Sequence, residues 1–242
     1  MEHANHLRGD ATLTDPLRSY GALYHPWLIG REENKPDELR RTPPDGAISG
    51  LFAQRALTRG AWVAPANAAL PGVLALTPAV PVEQALALQC ARVNLLQQTP
   101  RGFLVANADT LSGGRAFTED ECTQVDDYRA ISVRRLLSLL RRLALRQGAV
   151  YVFEPNDPAF RRLVQRSFEA VLERLLRRGA FAGRTASSAY QVVIDGALNS
   201  PQSLAAGRFI VELRVAPAQP LKFLTVRLVQ TNDQLQVNEP IA

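Results

Sequence analysis

Apolar positions recur in steps of three and four along two stretches of this chain and gather into short runs elsewhere. Residues 132–147 place Val133, Leu136, Leu137, Leu140, Leu143 and Ala144 at helical spacing, and Gly148 stands where a C-terminal cap belongs. A second helix carries Phe160, Leu163, Val164, Phe168, Val171, Leu172, Leu175 and Leu176. Asp157 is placed to be its N-cap, Pro158 its first residue and Gly179 its end. Between the two, residues 149–153 form a compact apolar run that predicts a buried strand. Residues 190–194, 209–215 and 223–229 read as strands, the last two joined by Ala216-Pro217-Ala218-Gln219-Pro220.

Upstream the pattern is more broken. Residues 1–20 are polar and unpatterned and read as an extended arm. Residues 24–29 are a short strand, and the charged, proline-containing residues 30–43 read as a surface loop. A helix begins near Pro44 or Asp45 and turns Ile48, Leu51 and Phe52 to one side. Residues 62–80 are interrupted by Pro65, Pro71 and Pro78 and read as irregular; residues 81–91 are a short helix. Leu95-Leu96 and residues 102–106 are strands, and residues 112–128 a polar, acidic loop. Helices and strands alternate through the middle and strands dominate the end. The predicted fold is α/β, a mixed sheet flanked by helices with extended terminal arms. The expected division is an arm over 1–21, a core over 22–220, and a C-terminal strand and tail over 221–242.

Charge changes this picture in one respect. The 242 residues carry a formal charge of +5, and Lys35 and Lys222 are the only lysines, so the positive charge is almost all arginine. Arginine makes planar, paired hydrogen bonds to carboxylates and suits protein interfaces, although a basic excess also fits nucleic acid. Cys90 and Cys122 form no motif and fit either a reduced or an oxidising compartment. The N-terminal residues show no apolar signal-peptide core, and no apolar run reaches the roughly 18 residues of a membrane span. No nucleophile elbow, phosphate-binding loop, dinucleotide fingerprint or metal-ligand spacing occurs, so no enzyme activity and no cofactor is expected. His3 and His6 are spaced as a terminal pair that is more often incidental than a metal site.

Several segments, in order, resemble the contractile tail sheath proteins, the subunits that encase the tube of contractile phage tails and related injection systems. They are Tyr24-His25-Pro26-Trp27, the stretch from Pro43-Pro44-Asp45-Gly46 to Ala53, and Arg59-Gly60-Ala61-Trp62-Val63-Ala64-Pro65-Ala66-Asn67. Val93-Asn94, Asp109-Thr110-Leu111-Ser112, Ile131-Ser132-Val133-Arg134-Arg135 and Val152-Phe153-Glu154-Pro155-Asn156-Asp157 follow. Each piece alone is weak; their order is specific. Two departures stand out: Phe103-Leu104-Val105-Ala106-Asn107-Ala108 replaces a tryptophan-bearing segment, and Tyr128-Arg129-Ala130 replaces Trp-Arg-Tyr. The chain also starts almost at the family's conserved core, which resembles a minimal sheath subunit or a paralogue at one end of the assembly.

The resemblance implies surfaces rather than catalytic groups. One helix presents Arg134, Arg135, Arg141, Arg142 and Arg146, the other Arg161, Arg162, Arg166, Arg174, Arg177 and Arg178. The ordinary reading is a solvated face; the reading that the family implies is an inner surface that grips an acidic tube. Each exposed pair is worth only about 0–1 kcal/mol, so many weak contacts hold register and release together. Phe223, Leu224, Val226 and Leu228 lie in a final strand that, in family terms, joins a neighbour's sheet; the alternative is a hairpin closing the chain's own sheet. Trp62 and Asn67 read as a structural corner, and Glu154 as a partner for Arg134 or Arg135. Expected partners are an inner tube, other sheath subunits and possible baseplate or cap proteins, without nucleic acid or membrane insertion. The expected setting is assembly in the cytoplasm into a tail or tail-like particle. A sheath-like end subunit is the alternative within the class, and a nucleic-acid binder using the arginine helices is the alternative outside it.

Overall fold

The computed structural model describes residues 15–32, 34–112, 128–151, 154, 156–218, 224–231 and 234–238. The chain folds as two compact units, Met1–Arg134 and Arg135–Ala242. This division falls inside a helix and does not coincide with the expected arm, core and tail.

In the first unit, helix α1 spans Asp15–Arg18, and strands β1 (Leu23–His25), β2 (Trp27–Glu32) and β3 (Lys35–Thr42) follow. Helix α2 is Asp45–Thr58, β4 Val73–Thr77, α3 Val82–Cys90, β5 Val93–Thr99 and β6 Gly102–Val105. One sheet has the order β1-β5-β6, with β1 parallel and β6 antiparallel to β5. Its central strand is buried on both faces from Val93 to Leu96, with Asn94 as the polar residue in that run. Val93 and Leu95 join Leu88 and Ala91 behind α3, while Leu96 joins Leu28, Ile48, Leu51, Leu70 and Val105. Asn94 is fully buried and satisfied: its amide donates to the carbonyls of Leu23 (3.0 Å) and Asp109 (2.8 Å) and accepts from the Asp109 N–H at 2.6 Å. That side chain fastens β1 and the Asp109 turn to β5, which explains the Val-Asn pair physically.

The second sheet of this unit, β3-β2-β4, corrects two expectations. Residues 30–43 are mostly a hairpin, not a loop: β3 pairs antiparallel with β2. Its charges and Pro36 suit an edge strand, where they discourage pairing with another chain. The proline-broken stretch after Trp62 contains β4, fitted between Pro71 and Pro78 and paired with β2. The Trp62 corner is structural: the indole is buried, and Asn67 takes the left-handed φ of 58° while its N–H bonds Val105 O at 2.8 Å. Gly60 is required beneath that ring, because any Cβ there would overlap it.

The long helix α4, Ile131–Tyr151, starts in the first unit and continues in the second. Helix α5 (Pro158–Arg177), α6 (Ala186–Ala189), β7 (Tyr190–Val193), α7 (Pro201–Ala205), β8 (Arg208–Val215), β9 (Leu224–Thr231) and β10 (Gln234–Asn238) complete the second unit. Its sheet has the order β10-β9-β8-β7, antiparallel throughout. Gly148 does not end α4, and Ala149 to Tyr151 are helix, not strand; Val150 is 73% exposed. Val152 and Phe153, the rest of that expected strand, lie outside the described residues, as do those of the acidic loop from 113 to 127. The reason for the glycine is close packing: a Cβ on Gly148 would lie 2.5 Å from Leu235 Cδ2 and 3.3 Å from Leu228 Cδ2. On α5, Phe160, Val164, Phe168, Leu172 and Leu175 are the buried stripe, and each fully buried side chain is worth about 1.5–3 kcal/mol. Phe160 meets Phe209 of β8 with ring centroids 5.5 Å apart.

Candidate interaction surfaces

The helix start at Asp157 is built as its sequence implies. The Asp157 carboxylate accepts the Phe160 N–H at 2.7 Å, with Pro158 at the first helical position. Asp157→Ala should therefore lower stability by about 1 kcal/mol, read as a lower thermal midpoint. Glu154 is exposed and makes no ion pair with Arg134 among the described residues.

The arginines divide into three environments. Arg134 is not on a surface. It is 5% exposed, with its guanidinium 4.3 Å from the Tyr20 ring centroid and 4.9 Å from that of Tyr128, and it donates to Ser19 Oγ and Tyr20 Oη at 3.2 Å. Its neighbours are one aromatic ring from far along the chain, Tyr20, and one from just before the helix, Tyr128, and the cation over their faces replaces the water it gives up. Its assignment as a tube contact is corrected accordingly. Arg135 is half-buried, and Arg161 is half-buried with its Nε on Asn156 Oδ1 at 2.8 Å. Arg141, Arg142, Arg146, Arg162, Arg166, Arg174, Arg177 and Arg178 are exposed. Arg177 lies 3.9 Å from Glu173 one turn back, a loose surface pair.

Leu163 also differs from expectation. It is 58% exposed, outside the buried stripe, and sits between Arg162 and Arg166 on the solvent side of α5. Leu145 is likewise partly exposed between Arg142 and Arg146 on α4. Each basic helix face thus carries an aliphatic centre.

The final strand is not a free arm. Leu224, Val226 and Leu228 lie in β9, paired along its length with β8 on one side and β10 on the other. Val226 is fully buried and Leu228 4% exposed; Phe223 lies outside the described residues. The reason is the alternation of β9, which turns Val226 and Leu228 toward the buried face of β8, where they pair with Leu213 and Val211. The polar tail supplies β10 and buries Val237.

Two features escaped the sequence. Asn199 extends the β7 edge with its side chain, accepting from Ile210 N at 2.7 Å and donating to Ile210 O at 2.8 Å. Glu212, on β8, is held between two arginines: Arg227 Nη2 at 2.7 Å and Arg214 Nε at 2.7 Å. Burial pushes its carboxyl up, but the hydrogen bonds and charges of Arg227 and Arg214 outweigh it and hold it below the ordinary value of 4.5. The stabilisation from Glu212 is therefore present above pH 4.5 and is lost as pH falls through the lower folded value. Acid titration should show this segment in the wild type and its loss in Glu212→Gln. Cys90 is disulfide-bonded. His3 and His6 lie outside the described residues, and among those described no group of side chains has the make-up of a metal site. Likewise no described helix is long and apolar enough to cross a membrane.

A family model of the phage tail sheath C-terminal domain matches residues 123–231, a little under half of the chain. Its fold is similar to a chain of the anti-feeding prophage baseplate, at 28% identity and a TM-score of 0.70, covering 85% of this chain and 53% of that one. It is similar also to the sheath complex of the extracellular contractile injection system PVC in its contracted state, at 27% identity and a TM-score of 0.73, covering 90% and 57%. The sheath tail protein of Desulfitobacterium hafniense shares the fold at 14% identity and a TM-score of 0.61, covering 95% and 52%. The chain spans about half the length of these sheath structures. No curated protein sequence matches it.

Proposed function

We propose that this chain is a non-enzymatic structural subunit of the sheath around the inner tube of a contractile injection system or phage tail. Its partners are then the tube, further copies of itself and the baseplate or cap proteins at the ends. The observation that carries this reading is the pairing of a sheath-domain fold with helix faces whose exposed arginines surround an aliphatic residue. Such a face fits an acidic protein surface: the arginines set orientation and the leucine supplies apolar contact. The lateral contacts between copies fall to strand pairing. β10 is the outer strand of its sheet among the described residues, so its free edge is where another copy adds a strand. A mesh joined by backbone hydrogen bonds lets subunits reorient on contraction without dissociating.

The experiment is electron microscopy of the purified chain with and without its tube protein. Rings or collars on the tube support the reading; a chain that stays small and unattached at every concentration overturns it. The likeness to a baseplate chain favours a second reading, a subunit at the end of the sheath. Locating this subunit in whole particles separates the two: all along the tube, or only at one end.

A further inference from the structure

The face of the second unit's sheet that turns away from α4 and α5 carries a cluster that the fold alone does not require. On β8, Phe209, Val211, Leu213 and Val215 are buried, so Arg208, Ile210, Glu212 and Arg214 turn to the opposite face. Arg227 of β9 pairs in register with Glu212, and both of its contacts, from Nε at 3.3 Å and from Nη2 at 2.7 Å, go to Oε2. Arg214 takes the other oxygen, Oε1, through its Nε at 2.7 Å.

One arginine would satisfy a cross-strand pair. Two arginines on one carboxylate leave a surplus positive charge and bring two like charges together. The Glu212 side chain is only 4% exposed, whereas those of Arg214 and Arg227 are 46% and 38% exposed. The carboxylate is thus the fixed, sunken part, and the two guanidinium groups stand above it. Its oxygens are engaged, but both Nη atoms of Arg214 and Nη1 of Arg227 have no hydrogen-bond partner among the described residues. No second acid lies on this face of the described strands: the register places Gln191 and Val193 on one side and Gln236 and Asn238 on the other, with Arg208 adding a further positive charge.

We infer that Arg214 and Arg227, aligned by Glu212, form a binding site for a second carboxylate. Glu212 fixes the two guanidinium planes, so little side-chain freedom is lost when an anion arrives. The donors left over are Nη groups, which match the two oxygens of a carboxylate in a planar, paired geometry. A lysine could hold the charge but not the plane. The carboxylate has two possible sources, a free dicarboxylate or an acidic side chain of a neighbouring subunit. The neighbouring-subunit source rests on the sheath reading; the site itself does not.

The test titrates the isotopically labelled full-length chain with succinate and follows the arginine Nε–H signals by NMR, against sodium chloride at equal ionic strength. Saturable shifts at Arg214 and Arg227, with a millimolar dissociation constant, are expected with succinate and absent with chloride. Arg214→Gln should weaken binding at least about tenfold while Arg227 keeps its bond to Glu212, and Arg208→Gln should leave it unchanged. Equal responses to succinate and chloride, or an unaltered Arg214→Gln variant, overturn the site. A second arm compares modification of Arg214 by phenylglyoxal in the free chain and in assembled particles. Protection in the particle assigns the site to a neighbour's carboxylate; equal reactivity assigns it to a free dicarboxylate. The titration needs no assembly, so failure of the sheath reading leaves it interpretable.

Discussion

Deleting residues 221–242 is expected to unfold the second unit rather than merely stop assembly. The deletion removes β9 and β10 together. Val211, Leu213 and Val215 on β8, all at most 2% exposed, lose the strand beside them. Val226, Leu228 and Val237 are lost outright, and each buried side chain is worth about 1.5–3 kcal/mol. Together they approach the roughly 5–15 kcal/mol that holds a whole domain folded. The loss also strips Gly148 of the Leu228 and Leu235 side chains against which it packs, leaving a helix glycine with no compensating contact. Finally it leaves β8 as a naked, apolar edge, which favours aggregation. Size-exclusion chromatography and thermal melting of residues 1–220 against the full chain measure this. Insoluble or non-cooperative protein is the expected result. A soluble monomer with an unchanged helical melt would mean that the last strands belong to another copy's sheet.

The contrast with a free C-terminal arm shows where sequence reading stops. The alternation in residues 223–229 marked a strand and its apolar side, but strand pairing depends on partners distant in sequence, and alternation does not name them. The prolines at 217 and 220 kept the connection from being a tight turn, which fitted a departing arm as well as a wider loop back. The same limit explains Gly148. A glycine at the end of an apolar helical pattern reads as a cap, and only the strand packed against it reveals a close approach. Arg134 shares a sequence pattern with Arg141, yet its aromatic neighbours Tyr20 and Tyr128 are brought up by other segments. By contrast, Asp157-Pro158, the stripe from Phe160 to Leu175 and the Trp62 corner are governed by residues close in sequence, and these were legible. The anionic partner of two arginines, Glu212, was not, because the cross-strand register that places Arg227 opposite it is a property of the folded sheet.

If the chain is a sheath subunit as proposed, reversing Arg162, Arg166 and Arg174 to glutamate is expected to abolish attachment to the tube while leaving the chain folded. All three side chains are exposed, and none makes an ion pair among the described residues, so the thermal midpoint should move little. Each reversal removes two units of charge, so three take the formal charge from +5 to −1. A single exposed pair contributes only about 0–1 kcal/mol, and one reversal alone should be hard to detect. The proposed arrangement in copies around a tube changes this. Contacts repeated around a ring act together, so a small loss per subunit multiplies over all subunits bound to one tube. Like-charge contact with an acidic tube adds repulsion to the lost attraction. Leu163 gives a control on the same face: Leu163→Ala should weaken attachment without altering its salt dependence, whereas the wild-type attachment should weaken as salt rises. Co-sedimentation with purified tubes reads all of these. Restoration of binding by arginine in place of acidic tube residues would fix the pairing. Undiminished attachment of the triple variant would make these arginines a solvated face and move the tube contact elsewhere on the chain.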